Sequence, residues 1–479
     1  MRSSVIKKGT WLASFMLAVC LCAHAEVKLP AIFSDGMVMQ QQTKANLWGT
    51  STPNKKITVT TGWNGKQYAA TADKNGAWKL SVSTPEAGGP YSITFNDGSK
   101  KTLNNILIGE LWLCSGQSNM EMPMKGFKNQ PVENANMDIL RSKNPNIRLF
   151  TVKRTSTFPP QTDVVGTWKE ATPANVRDFS ATAYYFGRLI NEILDVPVGL
   201  VVAAWGGSAC EAWMTADWLK AFPDAKIPQS EADIKSKNRT PTVLYNGMLH
   251  PLIGMTMKGV IWYQGESNIS NYQFYAPMMT AMVQLWRNVW EAPDMPFYYV
   301  QIAPHKYKDS RDTGAALLRE AQMEALKTIP NSGMVPTTDI GDEFCIHPPQ
   351  KDVVGLRLAT LALTKTYGIR RLPSNGPTMT KVDYADKKAI VTFDNAPAGL
   401  FPTFSELEGF EIAGADKKFY PAKAKIVGRT NTVEVWSEDV AQPVAVRYAF
   451  RNYVGNITLR NTFGLSAFPF RTDTWDDVK

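Results

Sequence analysis

The sequence predicts an α/β protein in which a mostly parallel sheet, covered by helices on both faces, is flanked by a β module at each end. The chain of 479 residues, with 44% hydrophobic and 11% aromatic content, exceeds a typical single domain and can bury a large core. Its middle alternates apolar strands with long helical segments, whereas both ends alternate apolar and polar residues. Strands that alternate with helices imply a parallel sheet with helices on both faces.

The first 25 residues have the pattern of a secretory signal. A basic start with Arg2, Lys7 and Lys8 precedes an apolar run at 11–22, and small residues lead to a cut after Ala25. The mature protein is therefore predicted to work in the periplasm or outside the cell. A retained membrane anchor is disfavoured because the apolar run is far shorter than the roughly 20 residues that span a bilayer. No integral membrane segment is expected after the signal is removed.

A lipoprotein signal is a weaker alternative for the same segment. It would need a small residue directly before Cys20 or Cys22, and Val19 and Leu21 stand at those positions. We therefore interpret the segment as a cleaved signal.

Charge and cysteine content narrow the classes of partner. Without the signal the chain carries about six net positive charges, and its basic residues are scattered, so no nucleic-acid partner is expected. The cysteines that remain are Cys114, Cys210 and Cys345. Their odd number and wide spacing argue against a disulfide framework and against a Cys-x-x-Cys metal site.

Two β modules are predicted, at residues 26–105 and 372–479. Turn signals such as Asn64-Gly65 in the first module separate short alternating stretches, which is typical of a small β-sandwich. The alternating stretches of both modules are 56–61, 78–82, 388–393, 432–436 and 444–448. The predicted α/β domain lies between them, at residues 106–371.

The central domain repeats an order of apolar strand, polar loop and helix. The candidate strands are 106–114, 198–204, 259–263, 297–303 and 334–338. The candidate helices are 181–194, 274–290, 315–327 and 352–367. No element is assigned between residues 125 and 178 beyond loops and short segments. Because ligands bind beyond the carboxyl ends of the strands in such a sheet, the chemistry is expected in the loops that follow them.

The loop after the first central strand, Ser115-Gly116-Gln117-Ser118-Asn119, offers a candidate nucleophile. Gly116 allows a sharp turn, and a helix that begins after Ser118 would present free N–H groups that favour negative charge. The second glycine of Gly-x-Ser-x-Gly is absent, so the ordinary α/β-hydrolase signature does not apply. Taken alone, a Gly-Gln-Ser-Asn loop is more often just a turn, so the assignment of Ser118 depends on a partner residue.

A serine nucleophile needs a histidine that accepts its proton and returns it to the leaving group. After the signal the sequence contains His250, His305 and His347. His347 lies in the loop after the 334–338 strand, which is another strand end; His250 is a second candidate, and His305 is interpreted as a surface residue. Dispersed histidines without a His-x-x-x-His pair predict no metal site.

Two further strand ends converge on the same edge. Trp205-Gly206-Gly207-Ser208 follows the 198–204 strand, and Gln264-Gly265-Glu266 follows the 259–263 strand. A glycine N–H and a side-chain amide, together with the Ser118 N–H, are the donors that an oxyanion hole requires.

The motifs at these strand ends form four sequence blocks, which occur in order over most of the mature chain. They are Gly116-Gln117-Ser118-Asn119-Met120, Trp205-Gly206-Gly207, Gln264-Gly265-Glu266-Ser267-Asn268, and Ile346-His347-Pro348 with Lys351 and Gly355. In this combination the sequence resembles the sialate O-acetylesterase family of the SGNH (GDSL-like) hydrolase superfamily. The resemblance implies a three-layer α/β/α domain with a parallel sheet, flanked by N-terminal and C-terminal β-sandwich-like modules. It also implies a carboxylic ester hydrolase that acts on an O-acetylated sugar or glycan without a cofactor.

The same resemblance implies roles for residues of these blocks. Ser118 would be the nucleophile and His347 the base, and Gly207 N–H and the Gln264 side chain would form the oxyanion hole. The alternatives for the two oxyanion donors are Gly206 and Asn268. An acetyl-enzyme would form and then be hydrolysed to acetate.

One departure from the family pattern concerns the group that orients His347. Many members carry an aspartate two or three residues before the histidine, where this sequence has Phe344 and Cys345. The candidates that remain are Asp339, Asp342, Glu343 and a backbone carbonyl. The loss of an orienting acid can lower the turnover of a serine enzyme by about 10⁴.

Three functions follow from the sequence. The leading one is an exported esterase that removes O-acetyl groups from sialic acid. The second keeps the chemistry but acts on another glycan, such as acetylated xylan, and the third is a non-catalytic glycan-binding protein. A sialic acid carboxylate would favour a cation in the pocket, for which Arg154, Arg239 and Arg319 are candidates.

Overall fold

The computed structural model describes residues 26–476. The predicted signal, residues 1–25, lies outside this range. The N-terminal module contains short strands followed by one long strand: β1 (Val38–Gln40), β2 (Lys44–Thr50), β3 (Lys56–Thr61), β4 (Gln67–Thr71), β5 (Ala77–Ser83), β6 (Gly88–Asn96) and β7 (Lys100–Gly116). β2 pairs with β5, whereas β4, β3, β6 and the first half of β7 pair in that order, all antiparallel.

The central domain continues from β7 in alternating strands and helices. Its elements are α1 (Ser118–Glu121), α2 (Ala135–Leu140), β8 (Asn144–Thr151), β9 (Trp168–Ala171), α3 (Pro173–Arg177), α4 (Ala181–Leu194), β10 (Val198–Ala204), α5 (Ala216–Leu219), β11 (Gly259–Tyr263), α6 (Tyr275–Val289), β12 (Phe297–Val300), α7 (Gly314–Thr328), β13 (Ser332–Val335) and α8 (Lys351–Lys365). Short 3₁₀ or π turns occupy Cys210–Trp213, Glu231–Asp233, Tyr245–Leu249, His250–Leu252 and Glu266–Phe274.

The central sheet has the strand order β13-β12-β11-β7-β10-β8-β9. Its pairs are parallel except for β9, which runs antiparallel to β8. β7 lies between β10 and β11. Later strands extend the sheet on both sides of it, with β10, β8 and β9 on one side and β11, β12 and β13 on the other. The end of β7 is therefore the topological switch point, where sheets of this kind bind ligands.

Helices cover both faces of the sheet, which confirms the predicted fold class. Along β7, Trp112 and Cys114 face the core formed with α4 and α8, whereas Leu113 faces the core that contains α6 and α7. The strand is apolar throughout because both of its faces are buried. Gly355 lets α8 approach α4, since a Cβ atom there would lie 2.4 Å from Tyr185 Cβ. The resulting close packing holds α8, and the loop before it, against the sheet.

The C-terminal module has its own apolar core. Its strands are β14 (Thr378–Ala385), β15 (Lys388–Asp394), β16 (Leu400–Phe401), β17 (Phe410–Ala413), β18 (Phe419–Pro421), β19 (Lys423–Ile426), β20 (Thr432–Trp436), β21 (Ala445–Tyr448), β22 (Arg460–Asn461) and β23 (Phe470–Arg471). One sheet has the order β14-β15-β20-β19 and another β18-β17-β21-β23. Residues from both sheets, such as Val391 and Ile412, share one buried cluster. Arg471 joins the module to α7 through Glu320, at 2.7 Å.

The structure adds two strands that the sequence pattern did not reveal. β8 and β9 lie in the segment 125–178, and β8 belongs to the main sheet. Its pattern is obscured by Pro145 and by Arg148, which is buried in mid-strand and pairs with Glu170 at 3.3 Å. The domain boundary predicted at residue 105 falls inside β7, which serves both modules. Among residues 26–476 no helix has both the length and the apolarity needed to cross a membrane.

Candidate active site

Ser118 is the first residue of α1, directly beyond the end of β7. The chain turns sharply at Gly116, whose φ is +138°. A Cβ atom at this position would lie 2.2 Å from the Tyr263 carbonyl oxygen, so no other residue fits without displacing β11. Gln117 N–H then donates to the same carbonyl, at 2.9 Å. The turn thus places Ser118 between the ends of β10 and β11.

His347 reaches Ser118 from the loop between β13 and α8. Its Nε2 atom lies 2.7 Å from Ser118 Oγ, which is hydrogen-bond distance. The other ring nitrogen, Nδ1, lies 2.5 Å from Gln130 Oε1. Because an amide oxygen can only accept, Nδ1 carries the proton and Nε2 is the acceptor for the Ser118 hydroxyl.

The group that contacts Nδ1 is neither a carboxylate nor a backbone carbonyl, so the predicted candidates for it are wrong. Asp339 binds Arg357 through both of its oxygens, at 2.8 and 2.7 Å. Asp342 Oδ1 accepts the N–H groups of Phe344 and Cys345. Sequence reasoning missed Gln130 because it lies in the segment 125–178, where no periodic pattern marked its position.

The surroundings of His347 keep its ring neutral. Burial lowers the pKa of His347 to about 4, and the electrostatic effects of Lys351 and His305 act in the same direction. At neutral pH the ring is therefore a free base that can take the serine proton. His305 Nδ1 itself lies 3.1 Å from the Asp342 carbonyl, and His250 Nδ1 lies 2.8 Å from the Gln161 carbonyl.

The glycine pair after β10 lies against Ser118. A Cβ atom on Gly206 would be 3.3 Å from Ser118 Cβ. Gly206 N–H donates to Glu121 Oε2 at 2.7 Å, so it is already occupied. Gly207 has a φ of +70°, and its N–H makes no hydrogen bond within residues 26–476. Of the two glycines, Gly207 is the one with a free donor.

Gln264 is fully buried and its amide group is fully used. Nε2 donates to the Ser208 carbonyl at 3.0 Å and to Asn268 Oδ1 at 2.8 Å, while Oε1 accepts from Tyr275 Oη at 2.9 Å. In this arrangement neither amide hydrogen is left for an oxyanion. The alternative donor Asn268 is also engaged, because its Nδ2 donates to Glu211 at 2.9 Å.

A model of the family described as carbohydrate esterase, sialic acid-specific acetylesterase matches residues 108–364, the part of the chain that carries this geometry. The chain belongs to this family. The predicted family resemblance is thereby confirmed, and with it the assignment as a carboxylic ester hydrolase.

Relatives of the esterase share most of its length. Sialate O-acetylesterase from Homo sapiens is 29% identical over 402 residues, which cover 76% of this chain and 76% of the relative. The Mus musculus protein of the same name is 27% identical over 484 residues, covering 87% and 88%. The crystal structure of a carbohydrate acetylesterase from Xanthomonas citri has a TM-score of 0.86 and 36% identity, and the match covers 94% of this chain and 100% of that one.

Beneath Ser118 the esterase has a buried network of charged groups centred on Asn119. Asn119 Nδ2 donates to Glu266 Oε1 at 2.7 Å, and Asn119 Oδ1 accepts from Lys351 Nζ at 2.5 Å. Burial raises the pKa of Glu266, and it lowers the pKa of Lys351 to about 7. Glu266 Oε2 has no hydrogen-bond partner among the described residues. One amide thus bridges an acid and a base at the residue next to the nucleophile.

Two of the predicted arginines lie beside the glycine pair of the esterase, and one does not. Arg154 pairs with Glu121 and lies over the Trp205 ring, 5.8 Å from its centroid. Arg239 Nε donates to the Gly207 carbonyl at 3.1 Å. Arg319 is buried and donates to the Arg451 carbonyl, near the C-terminal module. Among residues 26–476 no cluster of three metal-ligating side chains occurs.

Proposed function

We propose that the esterase removes O-acetyl groups from sugars by a Ser-His mechanism with an acetyl-enzyme intermediate. The observation that carries this proposal is the 2.7 Å contact between Ser118 Oγ and His347 Nε2 at the switch point of the sheet. A serine beside a neutral imidazole whose other nitrogen is protonated has the arrangement that general-base activation needs.

In the first half-reaction Ser118 Oγ attacks the acetyl carbonyl carbon and His347 Nε2 takes the hydroxyl proton. The oxyanion that forms would receive the N–H of Gly207 and the N–H of Ser118, which starts α1 and has no intrahelical acceptor. Collapse of this intermediate breaks the bond to the sugar oxygen, and His347 returns the proton to it. The sugar then leaves as an alcohol.

In the second half-reaction water replaces the sugar. His347 takes a proton from water as the water oxygen attacks the acetyl carbonyl, and then returns it to Ser118 Oγ as acetate leaves. The mechanism needs no cofactor. For Gln264 we propose a supporting role, since its two hydrogens hold the Ser208 carbonyl and Asn268 at the edge of the site.

We take O-acetylated sialic acid as the first substrate to test. The curated relatives bear the name sialate O-acetylesterase, and Arg154 and Arg239 place two cations next to the glycine pair. A sugar carboxylate would be attracted to such cations. Another acetylated glycan such as xylan is the second candidate, because the structural relative from Xanthomonas citri is named only as a carbohydrate acetylesterase. Export to the periplasm or beyond is proposed from the signal-like residues 1–25.

The test is acetate release from 9-O-acetylated sialic acid and, in parallel, from acetylated xylan. Wild-type protein, Ser118→Ala and the exposed control Ser83→Ala would be compared. We expect release from sialic acid by wild type and by Ser83→Ala, and a loss of at least about 10³-fold in Ser118→Ala. Release from xylan alone would keep the mechanism and change the substrate. Folded protein that releases acetate from neither, or a Ser118→Ala variant with wild-type rate, would contradict the proposal.

A further inference from the structure

The segment that carries Gln130 is a tight turn with a fixed backbone. Phe127 N–H donates to the Gln130 carbonyl and Gln130 N–H donates to the Phe127 carbonyl, both at 3.0 Å. Asn129, at the tip, has a φ of +62°. A Cβ atom on Gly126 would lie 2.4 Å from the Gln130 carbonyl oxygen, so the turn closes tightly on itself. The backbone alone therefore fixes where the Gln130 side chain starts.

This turn contacts His347 in two independent ways. The Phe127 ring meets the imidazole edge to face, with centroids 5.2 Å apart and an interplanar angle of 67°. Gln130 Oε1 lies 2.5 Å from Nδ1. A third contact joins the two loops, since Glu133 N–H donates to the Pro349 carbonyl at 2.9 Å. The aromatic contact limits the tilt of the imidazole ring, and the amide oxygen selects which ring nitrogen is protonated.

We propose that Gln130 is the positioning residue for His347, and that its neutral amide oxygen does the orienting work that a carboxylate does in other serine enzymes. The proposal rests on the Ser-His mechanism and adds the third member to it. The amide oxygen accepts the Nδ1 proton and so directs the Nε2 lone pair at Ser118. Unlike a carboxylate, it adds no negative charge beside the imidazolium that forms during the reaction.

This assignment predicts an unusual pH behaviour, which depends on every charge near the ring. The groups concerned are Lys351 at the start of α8, His305 after β12, Cys345 on the same loop, and Glu266 across Asn119. Of these, Lys351 and His305 oppose protonation of His347. Within residues 26–476 no carboxylate is bonded to Nδ1, so the effect of these two groups on the pKa of His347 is not offset there. A carboxylate introduced at position 130 would therefore raise the pKa of His347.

Two substitutions separate positioning from simple support of the turn. Gln130→Met keeps the length of the side chain and the backbone bonds to Phe127 but removes the acceptor. Gln130→Glu keeps an acceptor and adds a charge. Lys128→Gln is the matched control, because it changes the charge of the same turn by the same one unit at an exposed residue.

The measurement is kcat and KM against pH for acetate release, with circular dichroism to verify folding. We expect Gln130→Met to lower kcat about tenfold to a hundredfold with little change in KM. We expect Gln130→Glu to retain turnover at pH 8 and to move the acid limb of kcat/KM upward by more than one pH unit. Lys128→Gln should follow the wild-type profile.

Several results would overturn the inference. A Gln130→Met variant with the kcat of wild type would do so. The acid limb of the kcat/KM profile would also contradict the inference if it did not move in Gln130→Glu, or if it moved by the same amount in Lys128→Gln. If Gln130→Met does not fold, the Gln130→Glu profile decides alone. The Ser118→Ala variant separates the two proposals. If it remains active, the Ser-His mechanism is refuted. If it is inactive but the Gln130 variants have the kcat and pH profile of wild type, only the positioning role of Gln130 is refuted.

Discussion

On one side of Ser118 the side chain of His347 is held by an uncharged amide, and on the other side Asn119 is held by two buried groups of opposite charge. The first side carries the proton transfer in our proposal, through Nε2 at 2.7 Å from Ser118 Oγ. The second side touches no proposed reacting atom. It anchors the backbone of α1 through the contacts of Asn119 with Glu266 and Lys351.

The comparison shows that the buried charges beside this nucleophile hold its loop in place, and that the charge of Lys351 also helps to keep His347 neutral. A buried acid and base are costly to desolvate, and a bridging amide compensates both at once. Asn119 fits this role because its Nδ2 can only donate and its Oδ1 can only accept. The network thus favours one orientation of the residue that follows the nucleophile. Three further predictions test these roles of the two sides of Ser118.

The largest effect is expected from the buried network. Lys351→Met should lower the free energy of unfolding by about 3 kcal/mol, because it leaves the buried Glu266 and Asn119 Oδ1 without their partner. The measurement is urea denaturation at pH 6, where Lys351, whose pKa is about 7, carries its charge. Lys327→Met is the control, since Lys327 forms an exposed pair with Glu324 at 2.7 Å and should cost at most about 0.5 kcal/mol.

The double variant Lys351→Met/Glu266→Gln sharpens the same test. It should lose less stability than the sum of its single variants, because the second substitution removes the carboxylate that the first left unpaired. A cost for Lys351→Met no greater than that of Lys327→Met would show that the network does not hold α1.

A smaller effect is expected from Glu121, which ties the glycine pair to α1. Glu121→Ala frees the Gly206 N–H that now donates to Oε2 at 2.7 Å and removes the partner of Arg154. We expect kcat/KM to fall about threefold to tenfold, because Gly207 is then held less firmly. Glu324→Ala removes an exposed carboxylate far from this loop and should leave kcat/KM unchanged. Equal values for the two variants would contradict a role for Glu121.

The contrast between the two sides also marks what the sequence could predict. Ser118, His347 and the glycine pair stand at strand ends, and the alternation of strands with helices brings such ends to one edge. The helix at Ala181–Leu194 and the strands at Val198–Ala204 and Gly259–Tyr263 were predicted with the observed bounds. In these segments local pattern and tertiary packing agree.

Gln130 and Gln264 show where that prediction stops. Gln130 is 217 positions from His347 and lies in a turn without periodic pattern, so only the folded chain brings the two together. Gln264 was expected to donate to an oxyanion, yet both of its hydrogens are used within the protein. A motif supplies the residue type, but the orientation of a buried amide depends on which acceptors the neighbouring loops place around it.

The smallest change is expected in the pH dependence of the wild-type esterase. This measurement tests the side of Ser118 on which the uncharged Gln130 amide holds His347. Burial and the nearby cations lower the pKa of His347 to about 4, and the free base is the active form. Activity should therefore fall only as the pH drops through about 4, and kcat/KM should be nearly constant from pH 5 to 8. A histidine with an ordinary pKa of about 6.5 would be only about 3% free base at pH 5, which would lower kcat/KM about thirtyfold. A midpoint near pH 6.5 in the kcat/KM profile would mean that a negative charge or water near the ring cancels the lowering of the His347 pKa. The uncharged contact with Gln130 would then not describe the working enzyme.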